Sequence, residues 1–135
     1  MAVVNGGGTW PDAPQATNIK LYTDEDPIAG ASFPVKLDTL RAMDDLARSL
    51  DKRGVQVTAS IAASIQEIEI LRPEGGSVRD IRPMTRVNVS IIVEKNGRRE
   101  SGSAGGGGRV GLDGMLAPKD WQDKTREALR VALVN

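Results

Sequence analysis

The sequence predicts an α+β domain: an amphipathic helix, an antiparallel β-meander of about three long strands, then a second amphipathic helix. Three observations carry that expectation. Apolar residues recur at helical spacing from Leu37 to Leu50 and again from Trp121 to Leu133. Between these stretches the period falls to two, over Val57–Ile70 and Val87–Val93. Asn96-Gly97 is the strongest hairpin signal in the chain, because both residues tolerate the positive φ of a type I′ turn.

Residues 1–18 hold three consecutive glycines and two prolines with little periodicity, and read as a poorly ordered lead-in. Residues 19–135 read as a single domain. Its first feature is the acidic run Thr23-Asp24-Glu25-Asp26-Pro27, a solvated turn. A calcium loop would need alternating ligands, a central Gly and a closing Glu, and that pattern is absent. Ser32 then stands where an N-cap belongs, Pro34 fits the first turn, and Gly54 marks the stop. Leu37, Leu40, Met43, Leu46, Ala47 and Leu50 form the apolar stripe of this helix, and Asp38, Arg41, Asp44, Asp45, Arg48 and Asp51 its polar face.

From Val55 the chain reads as strand. Val57, Ala59, Ile61, Ala63 and Ile65 share one parity, whereas Ile68 and Ile70 take the other. Side chains of a strand alternate strictly, so the slip predicts one long strand bulged near Gln66. Pro73-Glu74-Gly75-Gly76 is a turn, and residues 78–93 return. Pro83 cannot donate to a ladder and marks an edge or an interruption. After the Asn96-Gly97 turn, Arg98–Ser103 forms strand three. The last helix opens at Pro118, with Trp121, Thr125, Ala128, Leu129, Ala132 and Leu133 as its stripe.

Composition narrows the chemistry. The chain has 135 residues, 18 basic and 18 acidic, and therefore no formal net charge. Nucleic acid and anionic membranes are usually met by an excess of Lys and Arg, so neither is expected as a partner. There is no His and no Cys. Disulfides, cysteine nucleophiles, histidine bases and nearly every zinc site are thereby excluded within the chain. No catalytic or metal-ligating residue is assigned. Aromatics are 3% of the residues, so the core must be built from Ile, Val, Leu and Ala. The first basic residue is Lys20, which leaves no charged region ahead of an apolar stretch as a secretory signal has, and aliphatic runs such as Ile91-Ile92-Val93 are far shorter than a membrane span. The expected location is cytoplasmic.

Seven of the 15 glycines lie between Gly102 and Gly114, four of them consecutive at Gly105–Gly108. The segment 102–114 reads as a Gly-rich loop. Such a run is entropically expensive to order and serves either as linker or tight turn, or where backbone must approach something closely. A phosphate cradle would require a Lys-Ser/Thr pair where Arg109-Val110 stands. A dinucleotide fingerprint would require a parallel βαβ unit. A backbone platform on which an extended chain adds as a strand remains open beside the linker. Glu67 and Glu69 share a strand face, and Arg79, Arg82 and Arg86 make a basic strip offset by Asp80 and Glu94; both read as solvated surface.

The stretch Asp80-Ile81-Arg82-Pro83-Met84-Thr85-Arg86-Val87-Asn88-Val89-Ser90 is followed by Asn96-Gly97, Arg98-Arg99-Glu100 and Ser101-Gly102-Ser103-Ala104-Gly105-Gly106-Gly107-Gly108-Arg109. In these residues the chain resembles the TldD branch of the TldD/PmbA family, zinc-dependent peptidases historically labelled modulators of DNA gyrase. Supporting matches run from Leu21-Tyr22-Thr23 to Ala132-Leu133-Val134-Asn135, so the resemblance covers roughly residues 20–135. It implies that the chain is the latter part of a TldD-like N-terminal domain, an internal fragment. The family's H-E-x-x-x-H motif comes shortly after the segment matching Asn135, and a cysteine-type ligand comes much later. With no His or Cys, none of these ligands transfers to a residue of this chain. The implied reading is a noncatalytic, inactive fragment whose zinc belongs to the parent protein. The resemblance further implies an extended or unfolded peptide as the parent's substrate, and a related family subunit as partner. Exposed faces also predict self-association.

Main-chain pairing at a sheet edge holds extended peptides irrespective of side chain. Ser103, Gly105, Gly106, Gly107, Gly108 and Arg109 are therefore the candidate substrate-binding residues, with Arg109 as an anchor for a carbonyl or carboxylate. Two alternatives belong to other classes: a structural or dimerisation module joining the two family subunits, and a DNA gyrase modulator acting by protein contact.

Overall fold

A computed structural model describes residues 22–135 apart from Glu74. The lead-in 1–18, Leu21 and the Glu74 of the expected turn lie outside the described residues. The elements run in the predicted order: α1 (Phe33–Leu50), β1 (Gly54–Leu71), β2 (Ser77–Lys95), β3 (Arg98–Gly108) and α2 (Pro118–Val134). The strands form one antiparallel sheet in the order β1-β2-β3. Both helices lie on one face of it, α1 against β1 and α2 against β3 and β2, and the two helices touch.

The core results from strand alternation. Pro83, Thr85, Val87, Val89, Ile91 and Val93 of the central strand are all buried on one face. Val89, Ile91 and Val93 pack with Ala47 of α1 and Ala128, Leu129 and Ala132 of α2 in one apolar cluster, whereas the Thr85 hydroxyl lies 3.3 Å from Met115 Sδ in the segment leading into α2. Thr125 is buried as well, and its hydroxyl donates to the Trp121 carbonyl at 2.8 Å, which satisfies the polar atom within the helix. Leu50 and Leu133, expected in the apolar stripes, are exposed at the helix ends.

Asn96 and Gly97 have φ of 54° and 77°, the two positive values that a type I′ hairpin requires. α1 begins after Ser32 as expected, but the Ser32 hydroxyl makes no capping bond; its carbonyl takes the Lys36 amide at 3.2 Å instead. At the other end the Asp51 carboxylate accepts the Arg53 amide at 2.8 Å and turns the chain into β1.

Two expectations, on β1 and on the Gly-rich loop, are corrected, and that on Pro83 is met locally. β1 is one long strand, but its register shift lies between Gly54 and Gln56, and pairing runs unbroken through Gln66 opposite Arg82. The parity change marks something else: the distal hairpin runs past the helices, so Ile70 and Leu71 are exposed and no layer selects a face there. Pro83 sits within the central strand, yet the last β2–β3 pair is Thr85 with Gly108, so β2 has only one strand neighbour at Pro83. A residue without an N–H is accommodated there. The Gly-rich loop 102–114 is strand over Gly102–Gly108, because β3 pairs with β2 as far as Gly108; the connection to α2 is confined to residues 109–117.

Candidate functional site

The candidate residues lie on the second half of β3, an edge strand with β2 on one side and no strand on the other among the described residues. Alternation divides them between two faces. Ser103, Gly105 and Gly107 are exposed on the open face, opposite Ser90, Asn88 and Arg86 of β2. Gly106 and Gly108 are half-buried on the helix face, opposite Val87 and Thr85. The glycines are not interchangeable. A Cβ on Gly105 would lie 2.1 Å from Asn88 Oδ1, and one on Gly107 would lie 2.7 Å from the Thr85 carbonyl oxygen. Asn88 thus occupies the space that Gly105 leaves, and its amide oxygen accepts Arg86 Nε at 3.2 Å. A Cβ on Gly106 would meet the flexible end of Lys124, and one on Gly108 only Val110 at 3.8 Å.

Charge flanks this strip on both faces. Arg86 stands on the open side, and Lys124 on the helix side is held by Asp120 at 2.5 Å. Arg109, where β3 ends, lies over the Tyr22 ring, 5.1 Å from its centroid, within cation–π range. Sequence reasoning missed Asn88, Arg86 and Lys124 as neighbours of the glycines, since only register and helix docking bring them there. A shallow depression of about 390 Å³ on the open face runs across all three strands, lined by residues such as Ser60, Arg86, Asn88 and Ser103.

The carboxylate pair Glu67 and Glu69 forms no acid–base site, because Glu67 is ion-paired across the strands with Arg79. Arg82 is likewise paired with Asp80 at 2.6 Å. The displaced ionisations arise from such surface pairs. The Arg53 guanidinium and amide hold the Asp51 carboxyl down at about 2, and Arg130 lowers that of Glu127. None belongs to the glycine strip. Among the described residues no three His, Cys, Asp or Glu side chains come together as a metal site. With no imidazole or thiolate in the chain, its donors do not fit a catalytic zinc ion. No helix among the described residues is long and apolar enough to cross a membrane.

Residues 26–135 match the family model of the PmbA/TldA metallopeptidase central domain. The "Metalloprotease TldD homolog" of Haemophilus influenzae is 37% identical over 121 residues, covering 87% of this chain and 25% of that protein. The protein of the same name from Buchnera aphidicola of Acyrthosiphon pisum is 34% identical over 139 residues, covering 98% of this chain and 29% of that one. The chain therefore spans roughly a quarter of the length of these relatives. A crystal structure from Thermotoga maritima, titled as a modulator of a DNA gyrase, superposes with a TM-score of 0.63 at 18% identity, over 83% of this chain and 26% of that one. That likeness extends to the fold.

Proposed function

Since the chain belongs to the PmbA/TldA metallopeptidase family, we propose that it is a noncatalytic scaffold domain of a TldD-like zinc metallopeptidase, bordering the path of an extended peptide. Zinc and the cleavage chemistry are assigned to parts of the parent protein outside this chain, because this chain has no ligand set for them. The observation that carries the reading is the edge of β3 that no strand pairs with among the described residues, five of whose last seven residues are glycine. Backbone amides and carbonyls on such an edge pair with any extended chain, and the missing side chains let the substrate's own side chains lie across the strand. Arg86 on the open face and Arg109 at the end of the strand supply positive charge suited to main-chain carbonyls or a terminal carboxylate, while the Lys124 charge is paired with Asp120.

The test is peptide cleavage by the full-length parent carrying Gly106→Val and Gly108→Val. These positions are chosen because a Cβ there meets only the Lys124 side chain or Val110, whereas Gly105 and Gly107 abut Asn88 and the β2 backbone. The expected result is a kcat/KM lowered about tenfold, equivalent to roughly 1.4 kcal/mol, with metal content unchanged. Unchanged cleavage refutes the peptide edge. Cleavage by the 135-residue chain alone refutes the scaffold reading. Action as a gyrase modulator by protein contact has only the fold likeness behind it and ranks lower.

A further inference from the structure

Most arginines of the sheet are ion-paired, Arg79 with Glu67, Arg82 with Asp80 and Arg99 with Glu94 among them. Arg86 has no acidic partner among the described residues, and its side chain is held instead by the Asn88 amide oxygen, 3.2 Å from Nε. Strand register explains why. Ala62 and Gly107 flank Arg86 across the strands, and Ser60, Ser64 and Gly105 take the diagonals of the same face. None of these carries a charge. The two glycines also decide where the guanidinium goes. A Cβ on Gly107 would lie 3.4 Å from Arg86 Cβ and Cγ, and one on Gly105 would overlap Asn88 Oδ1. With neither Cβ present, the Arg86 stem leans over β3 beside Gly107, and its Nε meets the amide oxygen above Gly105. An exposed cation is thus directed toward the edge of β3 that no strand pairs with among the described residues.

We propose that Arg86, positioned by Asn88, reads an acidic side chain on the peptide paired with β3, so that the substrates carry an Asp or Glu at one fixed place. The inference rests on the peptide-edge reading and adds the side-chain class that the edge selects. A strand added to β3 turns the residues opposite Gly105 and Gly107 to the open face. Its backbone lies two strand spacings, about 9–10 Å, from β2, and the glycines put no side chain between. A guanidinium reaching from β2 and a carboxylate reaching from the added strand meet over β3. The depression of about 390 Å³ lined by Arg86, Asn88, Ser90 and Ser103 opens at the same place, and its hydroxyl and amide donors suit the second carboxylate oxygen. The planar fork of Arg favours a carboxylate over the isosteric amide. A peptide's C-terminal carboxylate has the same chemistry. β3 runs from Arg98 on to Gly108, however, so a chain paired along it passes through this point, which favours a side chain.

The test uses the full-length parent, with unfolded casein as the first probe. Mass spectrometry of the released peptides is expected to show Asp and Glu enriched at one fixed distance from the cut bond. A C-terminally amidated peptide spanning one such site is then compared in its Glu and Gln versions, with kcat/KM about fivefold higher for Glu. Arg86→Gln should bring this ratio to about one, and so should Asn88→Asp, which hands the guanidinium a carboxylate of its own at unchanged size. A loss of fold or of metal lowers both peptides alike and leaves the ratio standing. No acidic enrichment, a ratio that survives either substitution, or cleavage that needs a free C-terminal carboxylate instead of the Glu would each overturn the proposal. Cleavage lowered by Gly106→Val and Gly108→Val but without a charge preference removes the role of Arg86 and keeps the peptide edge. Cleavage insensitive to both glycine changes, or no cleavage of casein at all, removes the edge and this inference with it.

Discussion

Replacing Gly102 with alanine should destabilise the protein more than the change of a single methyl suggests. Gly102 pairs with Ile91 at the centre of the sheet and is covered by α2. A Cβ there would lie 2.2 Å from the Ala128 carbonyl oxygen and 2.3 Å from the Ala132 amide nitrogen. Both are backbone atoms of a hydrogen-bonded helix, so no rotamer change relieves the contact. Restoring even 3.0 Å requires α2 to move off the sheet by about 0.8 Å. A gap of 0.5–1 Å forfeits roughly a quarter to a half of the dispersion attraction across an interface. The interface concerned is the main core, Val89, Ile91 and Val93 against Ala128, Leu129 and Ala132. Overpacking of this kind typically costs about 1–3 kcal/mol, and the backbone character of both contacts places this case near about 3 kcal/mol. Urea unfolding reads the loss as a lower midpoint at constant slope. Gly108→Ala is the matched control: its Cβ would have only Val110 at 3.8 Å, and its expected effect lies between zero and a gain of about 1 kcal/mol. Gly102→Ala within about 0.5 kcal/mol of the parent would refute the claim that glycine at 102 sets the helix–sheet distance.

Two further outcomes are expected. Met43 of α1 is fully buried, and Met43→Ala should lower stability by about 2–4 kcal/mol in the same urea assay; a loss below about 1 kcal/mol would mean that its surroundings are not tightly packed. Asp51 has its folded pKa depressed to about 2, first by the Arg53 guanidinium and then by the Arg53 amide. A depressed carboxylate contributes fully above its unfolded pKa, near 3.9, and loses that contribution as pH falls through about 2. Asp51→Asn should therefore be less stable than the parent at pH 7, with the difference closing as pH falls from 4 to 2; an undiminished difference at pH 2 would contradict that origin.

The glycine strip shows how much of the candidate site was legible. Its position and its lack of side chains are visible in Gly102–Gly108, but its strand state is not, because glycine carries almost no preference for extended backbone. Pairing with Thr85–Ile91 imposes that state. The separate duties of these glycines are tertiary as well: Gly102 admits a helix, Gly105 admits the Asn88 amide, Gly106 admits the end of the Lys124 side chain, and Gly108 has room to spare.

By itself the sequence determined the order of elements, the Asn96-Gly97 hairpin, the start of α2 at Pro118 and the absence of any histidine or thiolate chemistry. Each of these rests on local stereochemistry, periodicity or composition, which neighbouring residues decide without distant partners. Only the tertiary structure decided that the register shift falls beside Val55 instead of at Gln66, that Pro83 lies in the central strand, and that β3 reaches Gly108. Each has a tertiary reason: apolar alternation reports a buried face only where a second layer covers the strand, proline is accommodated where β3 no longer pairs with β2, and glycine becomes strand only through its pairing with β2.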